Sequence, residues 1–271
     1  MIVKVSIIIP CYNDGKFLKN AVESALNIKS PEIEIIIVND GSSDPETLEL
    51  LAEYNQKGLK LLSHENRGVA YTRNRGIKEA RGEYILPLDA DNIITQAYIE
   101  KGIMFLDSQQ YDIVYARPFF LGEDIPERKF APHQFIGQDL FWGNYIDACA
   151  VYRKKIWEDV GGYDEKIPYQ GYEDWEFWLS SYLSGYRFKF IDEEMFGYTI
   201  RSGSLITTLA NERKFTECHN YMIKKHAVKM IDALQGIYNT YQKQQRNYLK
   251  TSLKYLVKPI TGLFSGKARS N

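Results

Sequence analysis

Residues 3–14 read VKVSIIIPCYND, and the fold turns on that stretch. Val3–Pro10 is an apolar run of strand length and reads as a buried strand. Helical spacing follows: Phe17, Leu18, Ala21, Val22, Ala25 and Leu26 share one face. A second buried strand, Ile33–Val38, runs into Asn39-Asp40-Gly41-Ser42. A helix from about Pro45 to Asn55 leads to a short strand at Leu59–Ser63. Another helix, about Val69–Ala80, leads to strand Glu83–Leu88, which ends in Asp89-Ala90-Asp91. Strands alternating with helices specify an α/β fold whose parallel sheet is covered on both faces. Ligands on such sheets gather at the carboxyl ends of the strands. Pro10–Asp14, Asp40–Ser43 and Asp89–Asp91 all lie at those ends, so three polar clusters converge on one edge.

From Asn92 to Pro168 the pattern is less regular. A helix near Ala97–Ser108 and strands near Ile113–Ala116 and Ile146–Tyr152 are expected, with a loop or lid over Phe119–Gln138. Gly161-Gly162-Tyr163-Asp164 reads as a tight turn. Glu173–Leu183 reads as an amphipathic helix whose Trp175, Trp178, Leu179 and Tyr182 face the core. After Ser204 the chain becomes helical and basic. Residues 211–271 hold 12 Lys/Arg against 3 Asp/Glu, a charge of +9, while the preceding 210 residues carry −10. Such asymmetry marks a basic appendage with its own partner. The organisation expected is therefore 1–210, divided into a nucleotide-binding part (1–92) and an acceptor-side part (93–210), followed by a helical extension over 211–271.

Composition excludes several classes. At 44% hydrophobic and 25% charged, the chain is ordinary for a globular protein. Cys11, Cys149 and Cys218 are odd in number and widely spaced, which argues against a disulfide framework or a zinc site and for a reducing compartment. The apolar run at the start is too short for a signal peptide or a membrane span, so a cytoplasmic protein is expected.

The sharpest chemical feature is Asp89-Ala90-Asp91. Two carboxylates one residue apart, just past a buried strand, can hold a hard divalent cation such as Mg²⁺ or Mn²⁺ together with substrate phosphates. That cation would offset the charge on a departing diphosphate. The competing reading is a solvated turn. In Asp40-Gly41-Ser42-Ser43-Asp44 the later residues can cap the next helix, while Asp40 can accept the N3 proton of a uracil ring. Pro10-Cys11-Tyr12-Asn13-Asp14 would form the opposite wall, with Tyr12 against the base. The stretch NRGVAYTRNRG offers Arg67, Arg73 and Arg75 for phosphate or base binding, or for a solvated helix face. Arg73 and Asn74 cannot both face the site. Glu173-Asp174 opens an aromatic-bearing helix, where carboxylates favour the helix itself and can also supply a general base.

These clusters, in this order, resemble the family 2 glycosyltransferases of the GT-A fold. The matching text is VSIIIPCYND, IIIVNDGSSD, NRGVAYTRNRGIKEARGEYILPLDADN and VGGYDEKIPYQGYEDWEFWL, spanning roughly residues 3–205. The resemblance implies a single, Rossmann-like, mostly parallel sheet, a nucleoside-diphosphate sugar as donor with UDP favoured, and inversion at the anomeric carbon. It assigns Pro10, Tyr12 and Asp40 to the nucleoside. Asp89 falls near the ribose and donor sugar, Asp91 as the main ligand of Mn²⁺ or Mg²⁺, and Asp174 as the base. Relatives often carry a His in the segment corresponding to Tyr198–Ser204; here Arg201 stands in that slot. Arginine cannot ligate a cation but can pair with the diphosphate. The acceptor implied is a glycan or lipid-linked saccharide in bacterial surface polysaccharide synthesis.

Two rival readings remain. A sugar nucleotidyltransferase would need a Gly-rich loop after the first strand, and CYNDGKF has one glycine. A non-catalytic module binding nucleotide sugars or glycans would have no need of Asp91 and Asp174. Nucleic-acid binding through the basic tail lacks any accompanying motif. In Tyr248–Phe264, Lys250, Lys254 and Lys258 recur among apolar residues, as in a basic amphipathic helix on an anionic membrane surface. Packing on the catalytic domain or an oligomer contact are its alternatives.

Overall fold

The computed structural model describes residues 3–30, 32–123, 130–201 and 212–263, with side chains described as far as 249. The chain divides into two compact units, Met1–Lys225 and His226–Asn271.

The first unit is built on β1 (Val5–Cys11), which is buried at all seven positions. Its residues alternate between two helical layers. Ile7 and Ile9 join a core with Leu18, Ala21 and Val22 of α1 (Gly15–Leu26). Ile8 points the other way, against α3 (Val69–Lys78), where a Cβ on Gly76 would lie 2.5 Å from its Cγ2. Coverage on both faces is why the strand reads as a continuous apolar run. Between these elements come β2 (Ile33–Asp40), α2 (Pro45–Gln56) and β3 (Lys60–His64), followed after α3 by β4 (Tyr84–Pro87). Asp44 caps α2 by accepting from the Thr47 amide at 2.8 Å.

The rest of the unit comprises β5 (Ile93–Ile94), α4 (Gln96–Asp107), β6 (Ile113–Gly122), a 3-10 turn at Gly137–Phe141, β7 (Val151–Arg153), α5 (Lys154–Val160), α6 (Glu173–Leu183) and β8 (Phe188–Ile200). Helix α7 (Glu212–Leu263) begins in the first unit and runs through the second. The sheet order is β3-β2-β1-β4-β7-β6-β8-β5. Strands β1 to β4 are mutually parallel, β6 is parallel to β8, and β7 and β5 run antiparallel to their neighbours. It is thus one mixed sheet, mostly parallel and flanked by helices, as expected of the GT-A fold.

Two expectations are corrected. The strand foreseen at Ile146–Tyr152 is confined to Val151–Arg153, because Asp147 accepts from the Cys149 amide at 2.8 Å and turns the chain there. The loop foreseen from Phe119 begins later, since β6 pairs with β8 as far as Gly122; residues 124–129 of that loop lie outside the described residues. The long strand β8 and the helix α5 are additional elements. Among the described residues no helix is long and apolar enough to cross a membrane.

Candidate active site

A cavity of about 470 Å³ opens at the carboxyl edge of the sheet. Its walls are Pro10–Asp14 after β1, Asp40 ending β2, the start of α3, Asp89–Asn92 after β4, Asp147 and Ala148 before β7, the start of α6, and Tyr198, Thr199 and Arg201 from the end of β8. Pro10, Tyr12, Asp40, Arg73, Asp89, Asp91, Glu173, Asp174 and Arg201, separated by up to 191 positions, thus meet around one space.

The loops on the first strands are pinned to each other. Asn13, at φ 53, accepts the Ser43 and Asp44 amides at 2.8 and 2.9 Å. Asparagine tolerates that left-handed conformation better than most residues. Gly41 has φ +70, and a Cβ there would come within 2.5 Å of the Asn66 amide nitrogen. Asp40 is buried and accepts the Arg67 and Gly68 amides at 2.7 and 3.0 Å, so it organises the entrance to α3 as well as lining the cavity. Tyr12 is 49% exposed at the rim, a position that leaves its ring accessible.

Of the three arginines in NRGVAYTRNRG, Arg73 is the one on the cavity wall. Arg67 lies over the Tyr71 ring and Arg75 pairs with Glu79. Asn74 faces away, bonding Trp157 and Tyr163. Arg73 is 3% exposed and spans two carboxylates, Asp89 and Glu173, each at 2.6 Å. A second guanidinium, Arg201, spans Asp91 at 2.8 Å and Asp14 at 2.9 Å. Two arginines therefore tie four acids around the cavity.

Even so, negative charge is in excess. The Asp91 carboxyl is pushed up to about 6, first by burial and then by the adjacent Asp89 charge, with Arg201 acting in opposition. Asp147 is pushed up to about 7 by burial and then by Asp89. Asp14 is raised chiefly by burial. The sequence placed Asp14 in the wall segment Pro10–Asp14 without a role of its own, and Asp147 went unread. Asp14 closes the quoted motif VSIIIPCYND, whereas Asp147 sits in a stretch with strand-like composition and no polar cluster to mark it.

The Glu173–Asp174 pair is divided by its surroundings. Glu173 is 3% exposed, holds Arg73 with one oxygen and accepts the Gly171 amide at 2.6 Å with the other. Asp174 is partly open to the cavity; it accepts the Asn144 side-chain amide at 2.9 Å and the Trp175 amide at 2.7 Å. Its carboxyl is held well above the usual range by burial first and by the Glu173 charge next.

A hard divalent cation fits this donor set. The donors are carboxylate oxygens: Asp89 and Asp91 stand one residue apart on the cavity wall, and burial with the Asp89 charge raises Asp91 even beside Arg201. Among the described residues, no group of three or more His, Cys, Asp or Glu side chains is arranged to hold a metal. One or two carboxylates, completed by phosphate oxygens and water, is the usual magnesium-type arrangement.

Comparison with known proteins agrees with the geometry. The family model described as glycosyl transferase family 2 matches residues 6–161, more than half the chain. An uncharacterised glycosyltransferase of Methanocaldococcus jannaschii is 28% identical over 207 residues, covering 72% of this chain and 70% of its own. A poly-β-1,6-N-acetyl-D-glucosamine synthase of Staphylococcus epidermidis is 42% identical over 92 residues, covering 33% of this chain and 22% of its own. The crystal structure of S. aureus TarS 1–349 in complex with UDP-GlcNAc superposes with a TM-score of 0.63 at 24% identity, covering 76% of this chain and 61% of that one. The chain thus spans most of the first relative and smaller shares of the other two. On the family match and the shared fold, the chain is a member of glycosyl transferase family 2.

Proposed function

We propose that the protein is an inverting, metal-dependent glycosyltransferase that moves a sugar from a nucleoside-diphosphate donor, UDP-linked by preference, to a hydroxyl of a glycan or lipid-linked acceptor. Surface polysaccharide synthesis in the bacterial cytoplasm is the setting that suits it. One observation carries the reading: a single cavity is lined both by two arginines that tie Asp14, Asp89, Asp91 and Glu173 together and by the partly open carboxylate of Asp174. The glucosamine-polymer synthase and the UDP-GlcNAc complex of TarS among its relatives support the choice of donor.

The chemistry follows from that combination. Pro10, Tyr12 and Asp40 receive the nucleoside, and Arg73 keeps Asp89 turned toward the donor. Asp91, with Asp89, would hold Mn²⁺ or Mg²⁺, which when bound offsets the negative charge of the diphosphate. Arg201 is placed to exchange one of its two carboxylates for a phosphate oxygen. The acceptor oxygen attacks the anomeric carbon opposite the diphosphate, the C–O bond to the diphosphate breaks, and the hydroxyl proton passes to Asp174. Attack from the far side inverts the anomeric centre. Asn144 fixes the orientation of the receiving carboxylate. Glu173 is buried and tied to Arg73, whereas Asp174 is partly open to the cavity and bonds only amide donors, which favours Asp174 as the base.

The test pairs binding with turnover. A panel of nucleotide sugars with Mn²⁺ should raise the melting temperature for UDP-sugars above all. A ligand at 100 times its Kd adds about 2.7 kcal/mol. Release of UDP should depend on acceptor and stop in excess chelator. Protection by no nucleotide sugar would remove the donor reading, and undiminished turnover in chelator would remove the metal.

A further inference from the structure

The second unit carries a surface that the chemistry above leaves unused. Between His226 and Leu249, helix α7 exposes Ile231, Leu234, Ile237, Tyr238, Tyr241 and Tyr248. At 3.6 residues per turn these six fall within an arc of about 120°. Lys229, Lys243 and Arg246 fall in an arc centred roughly opposite. Leu249, 59% exposed, falls within the apolar arc. The helical backbone continues to Leu263. Across residues 226–271 there are eight Lys/Arg and a single acid, Asp232.

We infer that the apolar face of α7 over residues 231–249 is a docking surface for an anionic lipid bilayer, on which the helix lies parallel to the membrane plane. Three observations favour lipid over a second copy of the chain. First, apolar and basic residues are segregated by face, the pattern of helices that bury one side at the headgroup boundary. Second, the apolar side is rich in Tyr, whose ring is apolar and whose hydroxyl stays wet, as suits the interface between hydrocarbon and water. Third, self-pairing would bring together two segments with eight basic groups and one acid each, without acids to answer the bases. An anionic leaflet supplies that complement. This inference stands apart from the catalytic reading, since it uses no residue of the cavity.

The experiment uses the full-length chain with vesicles of neutral phosphatidylcholine and with vesicles containing phosphatidylglycerol. Co-sedimentation should be about tenfold or more stronger on the anionic vesicles and fall toward the neutral level in high salt. Two double variants separate the contributions: Leu234→Glu with Tyr241→Glu on the apolar face, and Lys243→Gln with Arg246→Gln on the basic one. All four positions lie on the second unit, so circular dichroism and melting should match wild type. The first pair should abolish binding to both vesicle types. The second should lower binding to anionic vesicles alone. Sedimentation velocity without lipid supplies the competing outcome. Dimers or larger species that dissociate in the Leu234→Glu, Tyr241→Glu variant would assign the face to a second copy and overturn the lipid proposal. Equal binding to both vesicle types, or none, would overturn it as well.

Discussion

Glu173 and Asp174 are chemically near-identical neighbours, and only their surroundings separate them. Glu173 completes the burial of Arg73, so Glu173→Gln is expected to damage the fold: breaking one partner of a buried ion pair costs about 3–5 kcal/mol. A lower melting temperature with weakened donor binding is the expected result. Asp174→Asn keeps the shape and can still accept the Trp175 amide, but it cannot take a proton. Donor affinity should persist while kcat falls by about 10²–10⁴-fold. An active Asp174→Asn beside a folded but inactive Glu173→Gln would reverse the assignment. Asp147 permits a different test, of pH against stability. Folding raises its carboxyl to about 7. Between about pH 4 and 7 the folded chain therefore holds a proton that the unfolded chain releases, and stability falls as pH rises through that window. Asp147→Asn removes this liability. At pH 8 the variant should be more stable by about 1–2 kcal/mol, a rise of roughly 3–6 °C in melting temperature, with the advantage vanishing near pH 4. A constant difference across that range would mean that Asp147 does not titrate there.

At the scale of elements, legibility followed packing. Strands β1, β2 and β4 are buried on both faces, so their β-branched runs announce themselves, and helix α6 matches its sequence boundaries because its aromatic stripe has a strict helical period. Strand β8 was not legible. Its sequence FKFIDEEMFGYTI is interrupted by Asp192-Glu193-Glu194, which the structure accommodates at a register shift against Ala116–Pro118 of β6. A bulge resets the alternation on which strand reading depends. The consequence reaches the cavity, because β8 delivers Tyr198, Thr199 and Arg201 to it. Arg201 and Asp14 were each read from their place in a motif, but their pairing was not, since the two meet only once β8 is in place beside the β1 loop. Arg201→Ala is expected to weaken UDP binding by roughly 10–100-fold, the worth of one or two charge-assisted hydrogen bonds. Mn²⁺ affinity should hold, because Asp91 and Asp14 lose a competing cation. Calorimetry of UDP and of Mn²⁺ checks both, and unchanged UDP affinity would take Arg201 out of the donor site.

At the scale of the whole chain, the basic extension has two parts that its composition alone does not separate. Its first turns belong to the first unit: Cys218 and Met222 are buried, Phe215 stacks on Trp175 at 5.4 Å, and His219 bonds the Phe141 carbonyl at 2.7 Å. Lys225 closes this set, reaching Asp164 at 2.6 Å and the buried Glu176 at 2.9 Å. Those contacts brace α6, the helix that presents Asp174. Later turns instead expose apolar residues. Truncation should therefore have opposite effects on either side of Lys225. A chain ending at residue 211 leaves Glu176 buried without its cation and uncovers Trp175. It should melt more than about 10 °C lower than the full chain or fail to stay in solution. A chain ending at residue 230 retains every one of those contacts. It should melt within a few degrees of the full chain's first transition and transfer sugar to a water-soluble acceptor at a comparable rate, while losing any attachment to anionic vesicles. Equal melting of the two truncated chains would show that α7 contributes nothing to the catalytic unit and would return the whole extension, from residue 211 onward, to the status of an appendage.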